Sequence, residues 1–515
     1  MRERTAVLLL TMAAGAAVTA AFLGAARAGD EPTLEFTRGT LDAQIVFATS
    51  LAFGPDGRLY VAGLEEIKAL TLDPVTKDVI AEDQIASDLE DVTGIAFDPT
   101  APPSPVVLYA SNRDQSLTDG FEGKITAFTG PDWDQTDVIT GLPTSRPFLN
   151  HVTNGLAFDE TGRLFIAQGS ATDNGLGMNT GETAYWPESP LSAAILVADI
   201  GAPGFDGTIT YSPAGPPETD EVDQTSGDVA VFASGTRNAF DLVLHSNGLI
   251  YATDNGAFES LHSETCTTLG FGVSTSDELN LIEEGNYYGH PNRNRGRTDE
   301  RQCTYREPED GSGNGATGPI AVLPSHCSCN GIAEYQGPAL GGDLEGDLLY
   351  TEWTEGNLAR AQLAPDGRSV DSVSTLAEDF QQPLDVTVGP DGTIYVAEFE
   401  SGTVAYLRPQ GEPTPTVTPV TPTATPTLTF TPTPTATPTS STPTAPPGPL
   451  GDVGCDGVTN AVDAALILQL VAELVGALPC QALGDVNGNG AVNAVDAALI
   501  LQLVAGLIDE LPGAD

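Results

Sequence analysis

One pattern returns six times between residues 51 and 396, and it governs what this chain can fold into. Each copy is an alternating apolar strand, a turn carrying Gly or a polar pair, and a second strand ending in an aromatic-apolar pair. The copies span residues 51–61, 94–98 running on to 107–110, 155–166, 241–251, 342–350 and 384–396. Asp-Gly and Asn-Gly at the turns accept the positive φ that a tight hairpin demands, and the alternation gives each strand one buried face. Hairpins recurring in units of roughly 40–50 residues predict four-stranded sheets stacked about an axis, hence an all-β six-bladed β-propeller. A β-sandwich would use similar strands without this repeating hairpin. Gaps such as residues 254–279 are inserted loops, and loops gathered on one face of a propeller build its site.

Composition divides the rest of the chain. Residues 1–28 carry Arg2 and Arg4, an apolar run over 6–23 and the small-residue site Ala26-Arg27-Ala28, the order of a secretory signal peptide cleaved after Ala28. The propeller is expected over 29–410. A Pro/Thr-rich tract over 411–449 holds almost no charge and few apolar residues, so it is read as a disordered, semi-stiff linker and a carrier of O-glycans. Residues 450–515 form a second, small domain. No other stretch could span a bilayer, so the mature chain is expected to have no membrane span. With 71 Asp+Glu against 20 Lys+Arg and a formal net charge of -51, broad attraction to nucleic acid or anionic lipid is excluded. Secretion also reads the six cysteines as disulfides, and Cys327-Ser328-Cys329 is not a CxxC pair.

The small domain contains one segment twice, from Asp452 and again from Asp485, at an offset of 33 residues. Oxygen-bearing residues stand at loop positions 1, 5, 9 and 12, with Gly at 6 for the sharp turn, and a helix follows each loop. This is the logic of a calcium loop, with Asp452, Asp456, Asn460 and Asp463 as ligands in one copy. Asp485, Asn487, Asn489, Asn493 and Asp496 serve in the other, and Gly454 stands where the second copy has Asn487. The duplicated loop and helix, over about residues 451–511, resembles a type I dockerin, whose partner would be a cohesin-bearing scaffold protein. In that resemblance the partner-recognition pairs are Ala461-Val462 and Ala494-Val495, and their identity implies two symmetric docking poses. A bridge between Cys455 and Cys480 is expected inside this domain, leaving Cys266, Cys303, Cys327 and Cys329 with three possible pairings.

Three segments of the propeller could carry chemistry. Asn150-His151 precedes the third copy and offers a general base near neutral pH. Ser234-Gly235-Thr236-Arg237-Asn238 opens the fourth copy, and Asp254-Asn255-Gly256 closes it. Asp277-Glu278-Leu279-Asn280-Leu281-Ile282 leads through Asn286 and His290 to Arg293, Arg295, Arg297, Arg301 and Arg306, the only concentrated positive charge in a chain with no Lys after Lys124. Together, over about residues 47–408, these resemble the soluble, pyrroloquinoline-quinone (PQQ)-dependent glucose/sorbosone dehydrogenase family, whose members are secreted six-bladed propellers. The resemblance implies a sugar substrate, with His151 taking a hydroxyl proton while hydride passes to PQQ. It implies that Arg237 stabilises charge developing on the quinone, that Asn238 holds it, and that the carbonyls of Gly256 and Ala257 bind a calcium bridging to the cofactor.

The chain departs from that pattern at Thr153 and Asn154 (both Gly in the family), Ser170 (Asp), Ala239 (Pro) and Ala257 (Pro), and it lacks the family's cofactor-binding Lys. The leading expectation is a secreted PQQ-dependent sugar dehydrogenase. A redox-silent propeller binding carbohydrate or protein is the second, and a metal-dependent propeller lactonase the third.

Overall fold

The hairpin repeat becomes six four-stranded antiparallel sheets, seen in a computed structural model of the chain. It describes residues 34–145, 151–172, 188–214, 222–256, 276–290, 316–337 and 339–410 of the first part. Beyond the tract, it describes 449–453, 458–459, 461–471, 478, 480–488, 491–504, 508 and 511–512. The expected signal peptide over 1–28, nearly all of the Pro/Thr tract, Cys266, Cys303, Cys455, Asn150 and the arginines from Arg293 to Arg306 lie outside the described residues. The chain forms two compact units, residues 1–416 and 417–515. Among the described residues no helix is long and apolar enough to cross a membrane.

The innermost strands of blades one to six are Ala48–Phe53, Gly94–Phe97, Thr153–Phe158, Ala239–Leu244, Cys329–Glu334 and Pro383–Val388. Each packs beside the next, and the sixth packs beside the first, which closes the ring. The fold is therefore the six-bladed β-propeller that the repeat predicts. One copy is corrected: the fifth hairpin does not begin at Gly342. Its first strand is Cys329–Glu334, and residues 342–347 form the turn before Leu348–Glu352. The last blade is completed by the chain's own beginning, since Phe36–Thr40 pairs with Thr403–Pro409 as its outermost strand.

The aromatic residue that ends each repeat fills the seam between blades. Tyr60, Phe165, Tyr251 and Tyr395 are buried against residues of the following blade, giving those four of the six seams a large apolar anchor. In the C-terminal unit the helices Ala461–Val471 and Ala494–Val504 bury Ile467 and Ile500 in a small core with Val453, Leu478, Val486 and Leu511.

At the ring's centre a cavity of about 260 Å³ is lined by all six inner strands. Asp241 and Asp385 enter it, and glycines make room for them: a methyl group on Gly155 would overlap the Asp241 carboxylate, and one on Gly331 the Asp385 carboxylate. Each acid tethers the next blade. Asp241 Oδ2 accepts the Ile332 amide at 3.1 Å, and Asp385 Oδ2 accepts the Leu51 amide at 2.7 Å. Burial pushes both carboxyls up, Asp385 to about 7, and the Asp385 charge raises Asp241 further. Folded Asp385 therefore keeps a proton that the unfolded chain has lost once the pH exceeds about 4. Its stabilising contribution is full below that pH and disappears as the pH rises to about 7. Asp385→Asn should flatten this slope, so the variant gains on the parent by on the order of 2–4 kcal/mol between pH 4 and 8. Denaturant unfolding at several pH values measures it, and parallel curves for the two chains would refute the assignment.

Candidate functional site

The start of a blade's first strand, the end of its second and the start of its third share one end of the antiparallel sheet. His151 precedes the first strand of blade three, and Gly169 and Ser170 follow its second. Arg237 and Asn238 precede the first strand of blade four, and Asn255 and Gly256 follow its second. These segments therefore meet on one face of the ring.

His151 is buried, and its Nδ1 lies 2.9 Å from Ser170 Oγ and 3.2 Å from the Ser170 carbonyl. The Ser170 hydroxyl donates to the Thr172 carbonyl, so both groups facing Nδ1 need a donor. Nδ1 accordingly carries the proton and Nε2 the lone pair. Burial, then the charge of Arg237, then that of His290 hold His151 well below the ordinary histidine value of 6.5. The ring is a neutral base.

Arg237 and Asn238 are fixed through their backbone. The Asp254 carboxylate accepts both amides, at 3.1 Å from Arg237 and 2.8 Å from Asn238, and the Arg237 carbonyl accepts the Ser170 amide at 2.8 Å. The Arg237 guanidinium, 2% exposed as a residue, donates to the Asn255 carbonyl at 3.1 Å. Asn154, one of the departures, has a purpose here: its Nδ2 reaches into blade four and donates to Asn238 Oδ1 and to the Ala239 carbonyl, both at 3.0 Å. The Gly169 position is equally tight, since a Cβ there would meet His151 Cβ at 2.8 Å and Asn238 Oδ1 at 2.9 Å. Gly256 donates its amide to Asp277 at 2.9 Å, and Ala257 lies outside the described residues.

Sequence reasoning missed Glu188. It is buried, and it accepts the amides of Ala171 and Thr172 and the hydroxyls of Thr172 and Ser192. His290 Nε2 lies 3.2 Å from its Oε1. Burial alone would raise this carboxyl, but the His290 ring and the hydroxyls outweigh it and hold Glu188 at about 2. A charged Glu188 beside His290 thus borders the His151 base. Its only sequence signal was an acid within a short Ser- and Pro-rich stretch.

The chemistry of the donors bears on whether PQQ fits. His151, Arg237 and Asn238 form one buried, preorganised face, and beside them Thr236 Oγ1 is buried with no hydrogen-bond partner among the described residues. These groups suit the oxidising end of a quinone. Basic side chains of the fifth and sixth blades are already engaged. Arg360 binds Asp347, Arg368 binds Glu283, Arg38 binds the carbonyls of Glu378 and Asp379, and Arg408 binds that of Val75.

In the C-terminal unit Asp452, Asp463 and Asp496 are all buried to 1% exposure or less. Asp496 folds back over its own loop and accepts the amides of Asn487 at 3.3 Å and Asn493 at 2.9 Å. Asp485 belongs to the same loop, while Asp456, Asn460 and Asn489 lie outside the described residues. No Lys, Arg or His follows Arg408 in the sequence, so no basic side chain of this unit can neutralise these carboxylates. A hard cation such as calcium fits that donor set. Cys480 is disulfide-bonded, and Cys327 is bonded to Cys329.

The chain thus pairs a six-bladed propeller, with a buried histidine, arginine and asparagine on one face, with a loop-helix unit that is repeated. Residues 132–406, more than half of the chain, match the Glucose / Sorbosone dehydrogenase family model, and the chain belongs to that family. Residues 450–505 match the Dockerin type I domain, which stands at the C-terminus. No curated protein sequence matches the chain. Among solved structures it is similar to the soluble aldose sugar dehydrogenase from Escherichia coli in its apo form. The identity is 16% and the TM-score 0.50, covering 73% of this chain and 100% of that one. It is also similar to a Trichoderma reesei enzyme of Carbohydrate-Active Enzymes Family AA12, at 15% identity and TM-score 0.50, covering 75% and 100%. At these identities the likeness establishes the shared propeller.

Proposed function

We propose that this chain is a secreted, PQQ-dependent dehydrogenase of aldoses or related sugars, held on a cohesin-bearing scaffold by its dockerin. The observation that carries the reading is the apposition of a neutral His151 and a fixed Arg237 on one buried face. When bound there, PQQ would supply the two-electron oxidant. His151 Nε2 takes the proton of the sugar hydroxyl, while Ser170 holds the opposite ring nitrogen and fixes the tautomer. Arg237, anchored on the Asn255 carbonyl, sets its positive charge where an oxygen becomes negative. Asn238 would hold the cofactor, and the carbonyls of Gly256 and Ala257 would hold its calcium.

In this reading residues 1–28 are a cleaved leader and 29–410 the catalytic propeller, while 411–449 space it from the dockerin at 450–515. The dockerin loops take calcium through Asp452, Asp456, Asn460 and Asp463, and through Asp485, Asn487, Asn489, Asn493 and Asp496.

Titrating PQQ into the full chain with calcium present, and following the quinone spectrum, tests the reading. Saturable one-to-one binding that Arg237→Ala abolishes is expected. The engagement of Arg38, Arg360, Arg368 and Arg408 elsewhere favours one alternative, a redox-silent propeller that binds carbohydrate or protein. Absence of binding at high PQQ concentration would select it.

A further inference from the structure

Three side chains converge where Asp277 and the Cys327–Cys329 segment hydrogen-bond to Asn255 and Gly256. Cys327 and Cys329 are fully buried and Asp277 is 1% exposed. Asp277 Oδ1 accepts the Gly256 amide, and Oδ2 accepts the Cys329 amide at 2.9 Å and lies 3.3 Å from Cys327 Sγ. One carboxylate oxygen and both sulfurs fall within 4.8 Å of one another. The sulfurs are bonded across a single intervening residue. On this tight loop His326 and Ser328 have φ of +56° and +48°, values that side chains other than glycine rarely adopt.

We propose that Asp277, Cys327 and Cys329 are a buried site for a thiophilic divalent cation, masked while the two sulfurs are joined and opened by reduction. The donor set suits zinc or cadmium: two thiolates and a carboxylate, with metal-sulfur distances of about 2.3 Å and metal-oxygen distances of about 2.0–2.2 Å for zinc. After reduction the sulfurs must part from bonding distance to roughly 3.7 Å, the separation of two thiolates on one tetrahedral zinc, before a single ion can touch all three donors with water in the fourth position. A phosphine opens the site in a balanced step. It gives two electrons to the S–S bond and becomes phosphine oxide with the oxygen of one water, whose two protons leave on the two thiols. The incoming cation then displaces both thiol protons. The site is wired to the face described above. The Cys329 carbonyl accepts Asn255 Nδ2 at 3.0 Å, Ser328 Oγ donates to Asn255 Oδ1 at 3.3 Å, and the Asn255 carbonyl holds Arg237.

The test uses the full chain saturated with calcium, reduced by a phosphine under argon, desalted and titrated with cadmium chloride. Cadmium-thiolate charge transfer in the ultraviolet is the readout. Reduced parent chain should bind one equivalent more than the Cys327→Ser/Cys329→Ser double variant, and unreduced chain should lack that equivalent. Asp277→Asn, which keeps both sulfurs, should weaken the extra site by at least about tenfold, and it serves if the double variant fails to fold. Mass-mapped alkylation reports whether the bridge opened. Equal cadmium uptake by parent and double variant would overturn the proposal. So would unchanged affinity in Asp277→Asn, or no labelling of Cys327 and Cys329 after reduction of the folded chain.

Discussion

A chain carrying His151→Ala should bind PQQ as the parent does and oxidise sugar more slowly by ~10²–10⁴ in kcat, the usual worth of a positioned general base. Among the described residues the ring's hydrogen bonds run to Ser170, and it is the His151 backbone amide, kept in the variant, that donates to Ser145 Oγ. Binding and turnover therefore separate in this variant, whereas in Arg237→Ala they fall together. The pH profile carries the same signature. A base must be deprotonated to act, so activity falls as pH drops through its folded value, and burial with Arg237 and His290 places that value well below 6.5. The acidic limb of kcat/KM should lie below the ordinary histidine range. Turnover within a few-fold of the parent in His151→Ala, measured with PQQ bound, would remove His151 as the base.

Calcium removal is expected to unfold the C-terminal unit outright and leave the propeller's transition in place. Asp452, Asp463 and Asp496 are buried in a unit that contains no basic side chain, so without a cation their charges are both desolvated and mutually repulsive. For a domain this small, metal-binding energy is a large part of folding energy. Among the described residues the propeller's seam clusters are built from the propeller's own side chains. Calorimetry of the full chain should show two transitions with calcium and one after chelation. Loss of both transitions on chelation would show that the propeller also depends on a bound ion.

The fold was legible because its signal is repeated: six hairpins, five with an aromatic at the same place and the fifth blade with Tyr350 one residue further on, state the blade and the blade number at once. The fifth copy misled because the turn over 342–347 resembles a strand start, while the true first strand opens on Cys329-Asn330-Gly331, which does not read as an alternating apolar run. His151, Arg237 and Asn238 were legible as positions in register with a known motif. Glu188 was not, because nothing near it in sequence reveals that His290, 102 residues away, will pack against it. Asp241 and Asp385 were hidden for the same reason. Along the chain each is an ordinary polar residue in a strand, and only closure of the ring brings their carboxylates to a shared cavity. Asn154 shows the converse case, a departure from the family pattern that looks like damage in sequence and is a cross-blade support in three dimensions.

The strand Thr403–Pro409 is flanked on both sides, by Ile394–Glu398 and by Phe36–Thr40. It is also the last strand before the Pro/Thr tract that leads to the dockerin. Any pull transmitted along the polypeptide from an anchored dockerin enters the propeller at this strand, as tension along its length. Because the strand is interior to its sheet, extracting it means shearing two hydrogen-bonded ladders together, where an edge strand would yield one. The arrangement that closes the ring therefore also makes the propeller's attachment point resist a pull that an edge strand would not.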